Sequence, residues 1–202
     1  NQATVISAVH TFGGLALLLL APITWWTGVL VALLLVLGYA WDSADGQLAR
    51  LRGGGSLAGE WLDHFVDALK IASMHLVVLV ALWWHSDYRD TAWLVVPILF
   101  SIISVVTFFG MLLNDLLKGK QGVASTHNRG GGTMGRSMLL LPTDFGVLCL
   151  VFVLWAWTPV FLWAYLALMV MNGGFLGLAA VKWFREIVAL DRGAAKADGA
   201  RG

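Results

Sequence analysis

The chain has 202 residues, 59% of them hydrophobic and 12% charged, with a formal net charge of +1 and a single cysteine, Cys149. Soluble domains carry about 25% charged residues and about 45–50% apolar ones, so this composition excludes a soluble globular fold and a disordered chain. One cysteine excludes an intrachain disulfide scaffold, and near-neutral charge gives no basis for a nucleic-acid partner.

What remains is an all-α integral membrane protein. A bilayer-spanning helix needs about 20 mostly apolar residues, and such runs fall at 4–23, 26–48, 57–84, 92–116, 138–157 and 160–184, predicting six transmembrane helices. Pro22 and Pro159 mark turns, while glycines at 53–55 and 130–132 break the second and fourth connections. Residues 1–190 thus form one six-helix membrane domain, followed by a polar tail, 191–202, expected to fray. Trp25, Trp26, Trp83, Trp84, Trp155 and Trp157 fit an aromatic belt at one interface.

Orientation follows from the Lys/Arg bias. Arg50 and Arg52 lie at the second connection, Lys118, Lys120, Arg129 and Arg136 at the fourth, and Lys182, Arg185, Arg192, Lys196 and Arg201 after the last span. The opposite side offers only Arg89. Both termini are therefore expected in the cytoplasm, in the plasma or inner membrane. No cleavable signal peptide is read, and the first span is expected to act as its own insertion signal.

Acidic residues are expensive inside spans, about 2.5 to 3.5 kcal/mol each for Asp at a helix centre. Yet Asp42 and Asp45 end the second span and Asp63 and Asp67 begin the third. Residues three or four apart share a helix face, so each pair presents two carboxylates to one side. Gly59 lies one turn before Asp63 and leaves a gap beside the acids. The short connection at 50–56 predicts that the two helices are antiparallel neighbours whose acids converge near the cytoplasmic surface. Converging carboxylates repel and call for cations; hard divalent ions with oxygen ligands, Mg²⁺ or Mn²⁺, are the natural answer. Two such ions are the usual device for displacement at phosphorus. The competing reading makes these Asp residues helix caps or partners of Arg50 and Arg52. Four acids at matched helical spacing favour the metal site.

In order the stretch reads Asp42-Ser-Ala-Asp45-Gly46-Gln-Leu-Ala49-Arg50, eight residues, then Gly59-Glu-Trp-Leu-Asp63-His-Phe-Val-Asp67. This resembles the signature of the CDP-alcohol phosphotransferase family, D-x2-D-G-x2-A-R-x8-G-x3-D-x3-D, with every fixed position present. The resemblance implies a membrane enzyme that moves a substituted phosphate from a CDP-alcohol to a second alcohol and releases CMP. It implies that Asp42, Asp45, Asp63 and Asp67 hold two metal ions and that Asp67 also takes the acceptor's hydroxyl proton. It places nucleotide contacts on Asn1, Thr4, Gly46, Arg50 and Ser56, with Ala49 and Gly59 giving close approach, and it implies a homodimer.

The residue types suit those roles. Gly46 and Gly59 let a flat pyrimidine or a diphosphate approach helix backbone, and the guanidinium of Arg50 is a planar fork for phosphate oxygens. Gly46, Ala49 and Gly59 also suit tight helix packing, Arg50 and Arg52 an interfacial position, and Ser56 the N-cap of the third helix.

For the acceptor, Arg136 and then Arg129 are the candidates for holding a phosphate, against a reading of all the fourth-connection cations as contacts for anionic headgroups; for Lys118 and Lys120 the headgroup reading is preferred. Asp144 is expected to make a structural contact, and Lys70 to snorkel or to pair with a carboxylate. His10, His64 and His75 are read as packing residues. The linker at 52–56 looks like that of enzymes that use CDP-diacylglycerol with a polyol or polyol phosphate, whereas Gly59-Glu60 and Asp63-His64 are similar to those using soluble CDP-choline or CDP-ethanolamine with a lipid alcohol. The basic fourth connection favours the first. A cation transporter or channel is the rival from another class; it predicts polar residues along a path through the bilayer, and here the acids cluster at one face.

Overall fold

The computed structural model describes residues 2–51, 56–123 and 144–199, the side chains of 48–50 and 193–199 aside. Among the described residues the chain is helical throughout: α1 (Gln2–Leu20), α2 (Trp25–Leu51), α3 (Leu57–His85), α4 (Val95–Lys120), α5 (Phe145–Val151) and α6 (Thr158–Gly199). Short 3-10 turns, Ala92–Leu94 and Phe152–Leu154, lead into α4 and continue α5. Among the described residues, five helices have the length and hydropathy to cross a bilayer. The other expected span, 138–157, is a short apolar helix, Phe145–Leu154, in its described part. The segment expected to fray after 191 continues α6 as far as Gly199.

Local chemistry sets the breaks. Pro22 separates α1 from α2, while Pro97 and Pro159 fall in first turns, where a helix has no use for the missing N–H. Ser56 caps α3 by accepting from the Gly59 amide at 3.1 Å, and Asp144 caps α5 by accepting from the Gly146 amide at 2.7 Å.

The packing differs from the expectation that α2 and α3 are direct neighbours. α1 packs against both, α4 lies against α3 and α6, and α5 covers α2, while α2 and α3 share little direct contact. The cause is a seam of small residues on α1. Thr4, Ser7, Thr11 and Gly14 are buried at three- and four-residue spacing, and Gly38 of α2 faces them. A Cβ at Gly38 would overlap Thr11 Oγ1 and stand 3.1 Å from the Ser7 carbonyl oxygen. Such close backbone approach is how helices associate where lipid removes the hydrophobic drive. A short interhelical connection constrains the ends of two helices only, and the better-fitting α1 takes the space along their length.

The core centres on Phe100, Phe152, Trp155, Phe161 and Tyr165. Trp155, expected in the interfacial belt, is instead fully buried, with its ring 4.9 Å from that of Phe161 and edge-to-face with it. Gly28 of α2 makes room, since a Cβ there would stand 2.7 Å from the Phe152 carbonyl oxygen and 3.0 Å from Trp155 Cβ. Trp25, Trp26, Trp83, Trp84 and Trp157 are exposed, as a belt requires.

One polar link ties α3, α4 and α6 inside this core. His75 Nδ1 lies 2.5 Å from the Tyr165 hydroxyl and Nε2 2.9 Å from Ser104 Oγ, with the ring stacked on Phe100. His75→Phe leaves the fully buried Tyr165 hydroxyl without that partner, so it is expected to lower unfolding stability in detergent by about 1–3 kcal/mol. Adding Tyr165→Phe removes the stranded hydroxyl, and the double variant is expected to recover part of the loss.

Candidate active site

The Ser56 cap fixes where α3 begins, and from there Asp63 and Asp67 fall one turn apart. Asp42 occupies the matching level of α2. One carboxylate oxygen from each of Asp42, Asp63 and Asp67 lies within 4.8 Å of the others, and all three residues are partly buried. Asp45 stands outside this group of three, where its Oδ2 accepts a 2.6 Å hydrogen bond from Thr4 Oγ1.

α1 braces both acids of α2. Besides the Thr4 contact, Ser7 Oγ lies 2.8 Å from the Gly38 carbonyl oxygen and 3.2 Å from Asp42 Oδ1. Lys70, only 5% exposed, reaches between the helices: its Nζ is 2.5 Å from Asp42 Oδ1 and 3.0 Å from Asp67 Oδ1. Three carboxylates against one ammonium leave the cluster anionic. Every candidate ligand atom in the group is a carboxylate oxygen, a donor set that fits a hard divalent ion such as Mg²⁺ or Mn²⁺.

The other expected site residues fall in different places. Thr4 is 1% exposed and turned toward Asp45. Gly46 is exposed on α2, Gly59 is half-buried in the first turn of α3, and Ser56 performs its capping role. Ala49 and Arg50 sit on the last turn of α2, where side chains lie outside the described ones, and Asn1, Arg129 and Arg136 lie outside the described residues. His64 meets the ring of Phe108 of α4 in an edge-to-face arrangement, with ring centroids 6.4 Å apart. Asp144 makes the structural contact expected of it, as cap of α5 and acceptor for the Tyr39 hydroxyl at 3.1 Å.

Two contributors were absent from the expected site. Ser7 is signalled by the Thr4, Ser7, Thr11 spacing, a line of hydroxyls along one face of a mostly apolar helix. Lys70 is signalled by its position three residues after Asp67. Lys118, expected at lipid headgroups, is instead 6% exposed and paired with Glu186 of α6 at 2.5 Å. Glu186 also lies 3.8 Å from Lys182, and with Arg185 these α6 residues border a surface depression of about 490 Å³.

Apolar helices long enough to cross a bilayer, carrying a cluster of three acids able to hold a metal ion, mark a multi-pass membrane protein. The family model for CDP-alcohol phosphatidyltransferase matches residues 1–176, most of the chain. The chain belongs to that family, and it is accordingly a transferase that moves a phosphate-bearing group from a CDP-alcohol to an alcohol. Comparison with curated proteins finds no match.

Proposed function

We propose that the protein transfers a substituted phosphate from CDP-diacylglycerol to a polyol or polyol phosphate, releasing CMP and forming a phosphodiester lipid. The observation that carries this reading is the convergence of Asp42, Asp63 and Asp67 from two helices to within 4.8 Å. Together with Asp45 they are the residues that would hold two Mg²⁺ or Mn²⁺ ions. Such ions, when bound, supply the positive charge that offsets the donor diphosphate and the departing CMP.

The chain's own residues then have distinct tasks. Thr4 and Ser7 orient the carboxylates of Asp45 and Asp42 through hydrogen bonds, the support that ligand groups need to hold their geometry. Arg50, Asn1, Thr4, Gly46, Ala49, Ser56 and Gly59 receive the nucleotide and diphosphate. Asp67 accepts the proton of the acceptor hydroxyl as that oxygen bonds to the lipid-bearing phosphorus. The bond from that phosphorus to CMP breaks in the same displacement, and the electron pair leaves on CMP. Arg136 and Arg129 bind the acceptor phosphate. The site faces the cytoplasm from the plasma or inner membrane, and the protein works as a homodimer.

The test is CMP release by the purified protein in detergent, run with CDP-diacylglycerol against a panel of polyols and polyol phosphates. A second arm supplies CDP-choline or CDP-ethanolamine with diacylglycerol. Turnover is expected with the first donor, abolished by EDTA and restored by Mg²⁺. Turnover with only the soluble donors would reverse the assignment of donor and acceptor, in line with the Gly59-Glu60 and Asp63-His64 pairs. EDTA-insensitive turnover would remove the metal from the reaction.

A further inference from the structure

We propose that Lys70 is a positioning residue whose fixed positive charge joins Asp42 to Asp67 and limits how tightly the acid cluster binds a divalent ion. The proposal rests on the metal reading given above and extends it to a residue outside the expected ligand set.

Lys70 of α3 bridges to α2. These helices share little direct packing, yet their acids must be held together for any ion to be shared. Lys70 holds them, with Nζ 2.5 Å from Asp42 Oδ1 and 3.0 Å from Asp67 Oδ1. A lysine with its side chain 7% exposed gives up most of its hydration, which is tolerable only because two carboxylates take the place of water. The same ammonium occupies one oxygen of each acid and leaves each its second oxygen.

The charge has a further effect on the ion. A monovalent cation anchored beside a divalent one repels it, and at separations of a few ångströms even water-like screening leaves an effect of about tenfold in affinity. Lys70 therefore acts in two directions: it preorganises Asp42 and Asp67, and it keeps the cluster from holding a divalent ion too firmly. A lysine that merely filled space would do neither.

The experiment measures Mn²⁺ affinity of the purified full chain by electron paramagnetic resonance, together with CMP release. Lys70→Met is expected to bind Mn²⁺ about tenfold more tightly or better while turning over more slowly. Lys70→Gln, which keeps hydrogen bonds but no charge, is expected to show the same tightening with a smaller loss of turnover. Lys70→Arg is expected to keep the affinity of the parent protein. Unchanged or weaker Mn²⁺ binding in a folded neutral variant would overturn the proposal while leaving the metal site intact. Failure of both neutral variants to fold, with Lys70→Arg folded, would make Lys70 a structural tie and also overturn it. Absence of Mn²⁺ binding to the parent protein would overturn this proposal and the metal reading together.

Discussion

Asp67→Asn is expected to reduce CMP release by about 100-fold to 10,000-fold, the range spanned by loss of a positioned general base. The substitution keeps the volume of the side chain and an oxygen able to accept from Lys70, so the link between α2 and α3 survives in part. What it removes is the negative charge and the capacity to take a proton from the acceptor hydroxyl. The loss is expected in kcat, from the missing base, together with a higher Mg²⁺ requirement, since Asp67 is also among the residues that would hold the ions, and the unfolding temperature in detergent is expected to stay close to that of the parent protein. Turnover at the parent rate would show that Asp67 is not the base. A large fall in unfolding temperature would instead assign the loss to the fold.

The second large effect is expected at Gly38, four residues before Asp42. An added Cβ meets Thr11 Oγ1 and the Ser7 carbonyl oxygen. A side-chain hydroxyl can rotate away, but a backbone carbonyl moves only with its helix, so Gly38→Ala forces α1 from α2. The expected cost is about 1–3 kcal/mol of stability, as for overpacking in general. Because Ser7 and Thr4 of the same α1 face brace Asp42 and Asp45, displacement of α1 also unsettles the site, and a misplacement of about 1 Å costs on the order of 100-fold in rate. Gly13→Ala is the matched control, since a Cβ there meets nothing within 4 Å. It is expected to leave activity unchanged and to stabilise α1 slightly, by about 0.5–1 kcal/mol. Equal behaviour of the two variants would sink the seam argument.

Much of the fold was legible because membrane constraints act locally. Long apolar runs must be helices in lipid, since every backbone group must be satisfied within its own segment. The Asp42, Asp45, Asp63 and Asp67 spacing was legible for a similar reason: helical periodicity alone places each pair on one face. The position of α1 was not. Whether Gly38 meets Thr11 of α1 or a residue of α3 depends on which pair of surfaces fits best, a comparison that no single segment contains. Trp155 shows the same limit. Its place in the chain suits an interface, and only Gly28 on another helix opens the space that buries it. Lys70 was legible as a partner for some carboxylate, but a long flexible side chain reaches across helices, so spacing could identify Asp67 and not Asp42.

The bracing of Asp42 and Asp45 by α1 bears on how the protein is made. Helices reach the bilayer in chain order, so α1 and α2 arrive before the α3 segment that carries Lys70. The hydroxyls of Thr4 and Ser7 are already present at that stage to receive the two acids. The α1–α2 hairpin can thus shelter its own most lipid-averse groups during insertion, before the acids of α3 join them.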